Sequence, residues 1–206
     1  MVSLEEPAES DTGTNAGAVT GAPQVDEDLL SDGVFRLSVY QAGQAVIAFM
    51  LGKKIQHVRM LPRPPVTETD KVFSSGNWRS FCHVLEDRIL ELFGGRLAEE
   101  AVCVGSVCCS GDVSRIDELT RILAAIGGQE DPEDLYFQLE ERAHGLFDKP
   151  GVRTALLTLG KELYDREQNG EIQVDGETIE SIIRRFVEPP PRPSGMRSLL
   201  EKLGVA

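Results

Sequence analysis

Aromatic residues make up only 6% of this 206-residue chain, which holds three histidines, four cysteines and a single tryptophan. So few imidazoles and thiols restrict any metal site to a handful of combinations. Cys103, Cys108 and Cys109 follow a spacing that is not a common structural zinc pattern, and adjacent Cys108 and Cys109 point apart in an extended chain. With Cys82 they read as small buried thiols near a strand in a reducing compartment, although a Cys103 to Cys108 disulfide is open by chain length. The histidines are scattered: His57 falls in an apparent strand, and His83 and His144 in separate helical stretches. Long apolar runs are missing too. The longest, around Ala45 to Leu51, falls far short of the roughly 20 residues a membrane-spanning helix needs. A G-x-x-x-x-G-K-[ST] phosphate loop is absent, and Gly52-Lys53-Lys54 does not match it.

Positive charge is missing from residues 1 to 32. Eight carboxylates there (Glu5, Glu6, Glu9, Asp11, Asp26, Glu27, Asp28 and Asp32) carry more than half of the net charge of -13. Residues 1 to 30 are rich in Gly, Ala, Thr and Ser, and bury too little apolar surface to offset the entropy of ordering, so they read as a disordered acidic arm. The arm lacks the basic and apolar blocks of a secretory signal, and its acidity argues against a transit peptide. A soluble, cytoplasmic protein is the expectation. Without a basic groove, nucleic-acid binding is not expected.

What is present is helical. From Arg36 to Leu51, residues Leu37, Tyr40, Gln44, Ile47, Ala48 and Leu51 recur at helical spacing, with Val39, Gly43, Val46 and Met50 as a second stripe. The pattern predicts a helix over 32–51 that is covered on most of its circumference, ended by Gly52 with Lys53 and Lys54 at its negative end. Gly43 inside that helix costs about 1 kcal/mol relative to Ala, which implies a neighbour close to the backbone. A strand follows at 55–61, with Ile55, His57, Arg59 and Leu61 on one face, then a turn at Pro62, Pro64 and Pro65. Further helices are predicted over 76–103, 112–127, 132–146, 150–168 and 176–187. Asp131-Pro132 and Asp175-Gly176-Glu177 mark two helix starts. Gly94-Gly95 reads as a close helix crossing rather than a phosphate contact. The fold class is mainly α, with a small β element near residues 55–61. The folded domain spans 31–187, and 188–206 form a proline-rich linker and a short, amphipathic helical tail. Leu199, Leu200 and Leu203 of that tail can dock on the domain or on a partner.

Within the first long helix, Tyr40-Gln41-Ala42-Gly43-Gln44 has the shape of an H-E-x-x-H zinc-protease motif without its chemistry. A working motif holds Zn²⁺ between two imidazoles one turn apart, beside a carboxylate that takes a proton from bound water. Tyr40 is a poor zinc ligand at neutral pH, and the amides of Gln41 and Gln44 have no useful basicity. On a buried helix these three polar side chains require hydrogen-bond partners.

The run Phe35 to Pro62 resembles the H-E-A-G-H-A helix and following strand of the peptidase domain of FtsH-type ATP-dependent zinc proteases. Gly94-Gly95-Arg96-Leu97-Ala98-Glu99-Glu100 is similar to that family's G-G-R-x-A-E-E segment. Cys109-Ser110-Gly111, followed by Ile116 and Thr120, resembles its T-G-A-S-N-D-I-x-x-A-T segment, and a looser likeness covers Ala155 to Phe186. The resemblance implies a helical peptidase-domain fold over residues 35 to 187. Its third zinc ligand, an aspartate, aligns with Arg115, whose guanidinium would repel a metal. Asp117 sits about 200° further round a helix, on the wrong face, while Asp112 is the one nearby carboxylate that remains a candidate.

The degenerate positions are therefore Tyr40, Gln41, Gln44 and Arg115, with no catalytic residue, metal or other cofactor expected. The resemblance implies a catalytically inactive, stand-alone relative with a binding, assembly or regulatory role. Its expected partners are protein: further copies of itself, as in the family's rings, or an active FtsH-type protease. An extended peptide added at the strand around Val58 is a related expectation. Two alternatives stand beside it. One is a zinc metallopeptidase with ligands displaced to Asp112, His57 or His83. The other is an unrelated enzyme or small-ligand binder using the vacated pocket, with Arg115 as an anion site.

Overall fold

The computed structural model describes residues 26–70, 78–104, 110–128 and 131–190. The acidic arm up to residue 25, Cys108, Cys109 and the chain beyond Pro190, including the expected tail, lie outside the described residues. Among the described residues there are seven helices and a small antiparallel sheet, so the fold is mainly helical. The helices are α1 (Glu27–Leu30), α2 (Gly33–Met50), α3 (Trp78–Val102), α4 (Ser110–Gly127), α5 (Pro132–Phe147), α6 (Val152–Gln168) and α7 (Gly176–Ile183). The strands are β1 (Ile55–Arg59), β2 (Val66–Thr69) and β3 (Gln173–Asp175). No helix among them is long and apolar enough to cross a membrane.

α2 is the axis of the molecule. Asp32 starts it by accepting the backbone N–H groups of Val34 and Phe35, each at 2.8 Å, and Gly52, at φ 76°, lets the chain turn away after it. Every residue from Ser38 to Met50 is buried, because α3 and α6 pack along its sides and the sheet and α7 lie against it. Small residues permit the tightest approach. A Cβ on Gly43 would overlap the Gly94 carbonyl, and one on Gly95 would sit 2.6 Å from the Tyr40 ring, so the expected glycine crossing is present. The rest of the G-G-R-L-A-E-E block also serves packing. Arg96 reaches Glu100 at 2.7 Å and, on α5, the Tyr136 hydroxyl at 2.9 Å and Glu140 at 3.2 Å. Glu99, 1% exposed, accepts from Arg36 of α2 at 2.7 Å and 3.0 Å, while Arg36 also donates to the Val104 carbonyl.

The helical boundaries expected from periodicity lie close to those observed, with the last helix stopping at Ile183 rather than 187. Asp131 caps α5 through the Glu133 N–H at 2.8 Å, and Asp175 caps α7 through Thr178 at 2.9 Å. Residues 27–30, expected inside the disordered arm, instead form the single turn α1, whose Leu30 carbonyl accepts from the Val104 backbone. The sheet has the order β2-β1-β3, so β1 is central and both neighbours are antiparallel to it. An irregularity between Ile55 and His57 breaks the simple alternation. Ile55, Val58 and Met60 are buried while His57 and Arg59 are only half-buried, which corrects the expected common face of Ile55, His57, Arg59 and Leu61. Cys82 lies on α3 and Cys103 just past its end, and both thiols are half-buried rather than buried as expected.

Candidate functional site: the motif helix and the β2 groove

Burial leaves the motif side chains no free choice of chemistry. Tyr40, Gln41 and Gln44 are 2%, 4% and 4% exposed on α2. Gln41 is committed at both ends of its amide: the carbonyl accepts the Thr67 hydroxyl at 2.7 Å, and the NH₂ group donates to the Pro65 carbonyl at 3.3 Å. The residue at the general-base position of the motif thus anchors β2 and the proline turn before it. Tyr40 packs its ring on Gly95. Phenol and carboxamide groups do not suit Zn²⁺, whose ligands are imidazole, thiolate or carboxylate, and the Gln41 carbonyl is already taken by Thr67. The residues present do not fit the metal that the resemblance implies.

The other sequence candidates are dispersed. His57 on β1 faces Glu68 of β2 at 3.7 Å, and His83 on α3 sits 3.4 Å from Glu86 one turn on. Asp112 is half-buried in the first turn of α4. The structure does not bring Asp112, His57 and His83 together, and no group of three or more His, Cys, Asp or Glu side chains among the described residues is placed to hold a metal ion. His144 is exposed on α5, and Asp117 pairs with Arg121 at 3.0 Å on the exposed side of α4.

Arg115 does fall in a notable place. It lines a groove of about 600 Å³ between β2 and the first half of α3, closed at one side by Arg115 and Leu119 of α4. Val66, Thr67, Glu68 and Thr69 all border it. Consecutive strand residues point to opposite faces, so a space touching all four follows the backbone of β2, and it also reaches Gln56 at the irregularity of β1. No turn or loop hydrogen bond among the described residues uses a backbone group of Val66 to Thr69. The opposite wall is apolar: Phe81, Val84 and Leu85 recur at helical spacing on α3. Trp78, 61% exposed, stacks on Phe81 at 5.6 Å between ring centroids and marks the end of the wall.

The charges of the groove are mostly paired. Lys53 meets Asp87 at 3.0 Å, and Arg88 meets Glu91 at 2.9 Å, the latter also near the Thr69 hydroxyl at 3.5 Å. Arg115 is exposed and forms no ion pair with another described residue. The structure also corrects the place expected for strand addition. Val58 belongs to β1, which is flanked on both sides; the outer strands are β2 and β3, and it is β2 that borders the groove. β2 escapes the sequence pattern because V-T-E-T is short and polar. The signal for it is indirect: a buried Gln41 requires a partner, and Thr67 just after the prolines supplies one. A scan against protein-family models finds no match to this chain, and a search of curated proteins finds none either.

Proposed function

We propose that this chain is a catalytically inactive relative of the FtsH-type peptidase domain whose role is binding, with an extended protein segment as ligand along the edge of β2. The motif blocks of the sequence suggest the ancestry. The observation that carries the functional part is the engagement of Gln41: where a peptidase would place its base, this chain places an amide that fixes β2 in position. A sheet edge held in this way, with an apolar wall opposite, can add a strand through main-chain hydrogen bonds while Phe81, Val84 and Leu85 select side chains. Assembly into rings or docking on an active protease extends the same reading to partners.

Two measurements test it. Protein purified without chelators is expected to carry no stoichiometric zinc and to leave unfolded casein intact; chelator-sensitive cleavage would overturn the inactive assignment. An extended-peptide library titrated against the chain is expected to change the emission of Trp78, the single tryptophan, through its stacking partner Phe81. Peptides that bind without altering Trp78 emission or the exchange of the β2 amides would place the binding site elsewhere.

A further inference from the structure

The described chain ends next to the groove. Pro190 lines a cavity together with Lys53, and Lys53 also lines the β2 groove, so the two spaces lie on either side of Lys53, just before β1. Thr69, the last residue of β2, is paired with Ile55 at that same end. A segment leaving Pro190 past Lys53 would therefore meet the Thr69 end of β2 first and run toward Val66, antiparallel to the strand.

Residues 191–206 have a composition suited to that path. Read as an extended strand, Leu199, Glu201, Leu203 and Val205 share one face. Three of them are apolar, matching the wall of Phe81, Val84 and Leu85. The fourth, Glu201, is the single carboxylate of residues 191–206, and Arg115 is the groove cation without an ion pair among the described residues. Nine residues separate Pro190 from Leu199, a reach of about 30 Å when extended, against about 10 Å for the length of β2.

We infer that residues 199–205 of this chain occupy the β2 groove in cis as a fourth, antiparallel strand, and so compete with any protein ligand for the same edge. The inference rests on the reading of β2 as a peptide-accepting edge and names what fills it when no partner is present. Ligand binding then requires displacement of the tail, and a partner that captured the tail would open the groove.

The test compares the full chain with a chain ending at Pro190, by hydrogen exchange of the Val66–Thr69 amides and by Trp78 emission. The full chain is expected to protect those amides about tenfold or more over the shortened one. A synthetic peptide of residues 191–206, added to the shortened chain, is expected to restore both signals. Glu201→Arg in the full chain should lose protection, and pairing it with Arg115→Glu should recover it. Equal exchange in the full and shortened chains would overturn the inference. If the shortened chain fails to bind the tail peptide but binds library peptides at β2, the tail is not the occupant while the binding function survives. If it binds neither, both fall. Protection that disappears only when residues 1–25 are removed would assign the groove to the acidic arm instead.

Discussion

The α2–α3 crossing and the β2 groove lie along the same helix, α3, and have opposite character. At Gly94 and Gly95 the helix presents no side chains, so α2 comes close enough for Gly43 to face the Gly94 carbonyl. Roughly two to four turns earlier, Phe81, Val84, Leu85 and Arg88 stand out from the same helix, and a groove of about 600 Å³ opens between them and β2. Side-chain size along one helix thus decides where the molecule is closed and where a groove opens. The first region should respond to substitution through stability and the second through binding.

The sharpest way to break this contrast is to fill the crossing. Gly43→Leu places a branched side chain into the backbone of α3, and the chain is expected to lose cooperative folding, with a penalty of about 3 kcal/mol or more. A thermal melt followed by far-UV circular dichroism that kept the wild-type midpoint would show that the crossing is not tight. Glu99→Ala, one turn beyond, strands the buried Arg36 guanidinium and should cost about 3–5 kcal/mol in urea denaturation. Replacing both partners by leucine should recover much of that loss, because no charge is then left buried.

Thr67→Val tests the seam between the two regions. It removes the donor to the Gln41 carbonyl and should cost about 1–3 kcal/mol. Exchange of the β2 amides should rise while α3 amides near Gly94 stay protected. Uniform loosening of both would mean that crossing and groove are one cooperative unit.

The smallest effect lies at the far edge of the sheet. The Thr178 hydroxyl and then its backbone N–H donate to Asp175 and hold its carboxyl below the ordinary range. A depressed folded value makes this contribution complete above the unfolded carboxylate value, near pH 4, and removes it as pH falls through the folded one. Asp175 is exposed, so solvent screening keeps the contribution small. The stability gap between wild type and Asp175→Ala should be constant above about pH 4 and narrow below it. A gap unchanged down to pH 2 would remove the cap from the account.

Much of the helical frame was legible in the sequence because its signals are local. The unbroken apolar surface from Val39 to Met50, the Asp131-Pro132 start of α5 and the Gly94-Gly95 pair each state their structure within one or two turns. The sheet was largely hidden. β2 is short and mostly polar, and β3 is three residues long and exists through pairing with a strand distant in sequence. The face of His57 was misjudged because one irregularity in β1 shifts the alternation. At the candidate site, the unsuitability of Tyr40, Gln41 and Gln44 for zinc-protease chemistry could be read from residue type. The partner of Gln41 could not, since Thr67 lies 26 positions away and only the fold brings it near.

The bond between Gln41 and its two partners also gives the chain a direction in sequence space. A glutamate at position 41 would still accept from Thr67, yet it would turn a second acceptor toward the Pro65 carbonyl, where an N–H now donates. Introducing a motif carboxylate would loosen the sheet before any metal could compensate, and two imidazoles at positions 40 and 44 would have to fit a helix already closed around a tyrosine and an amide. The amide at position 41 thus holds the sheet in place and opposes any single change toward the metal-binding motif.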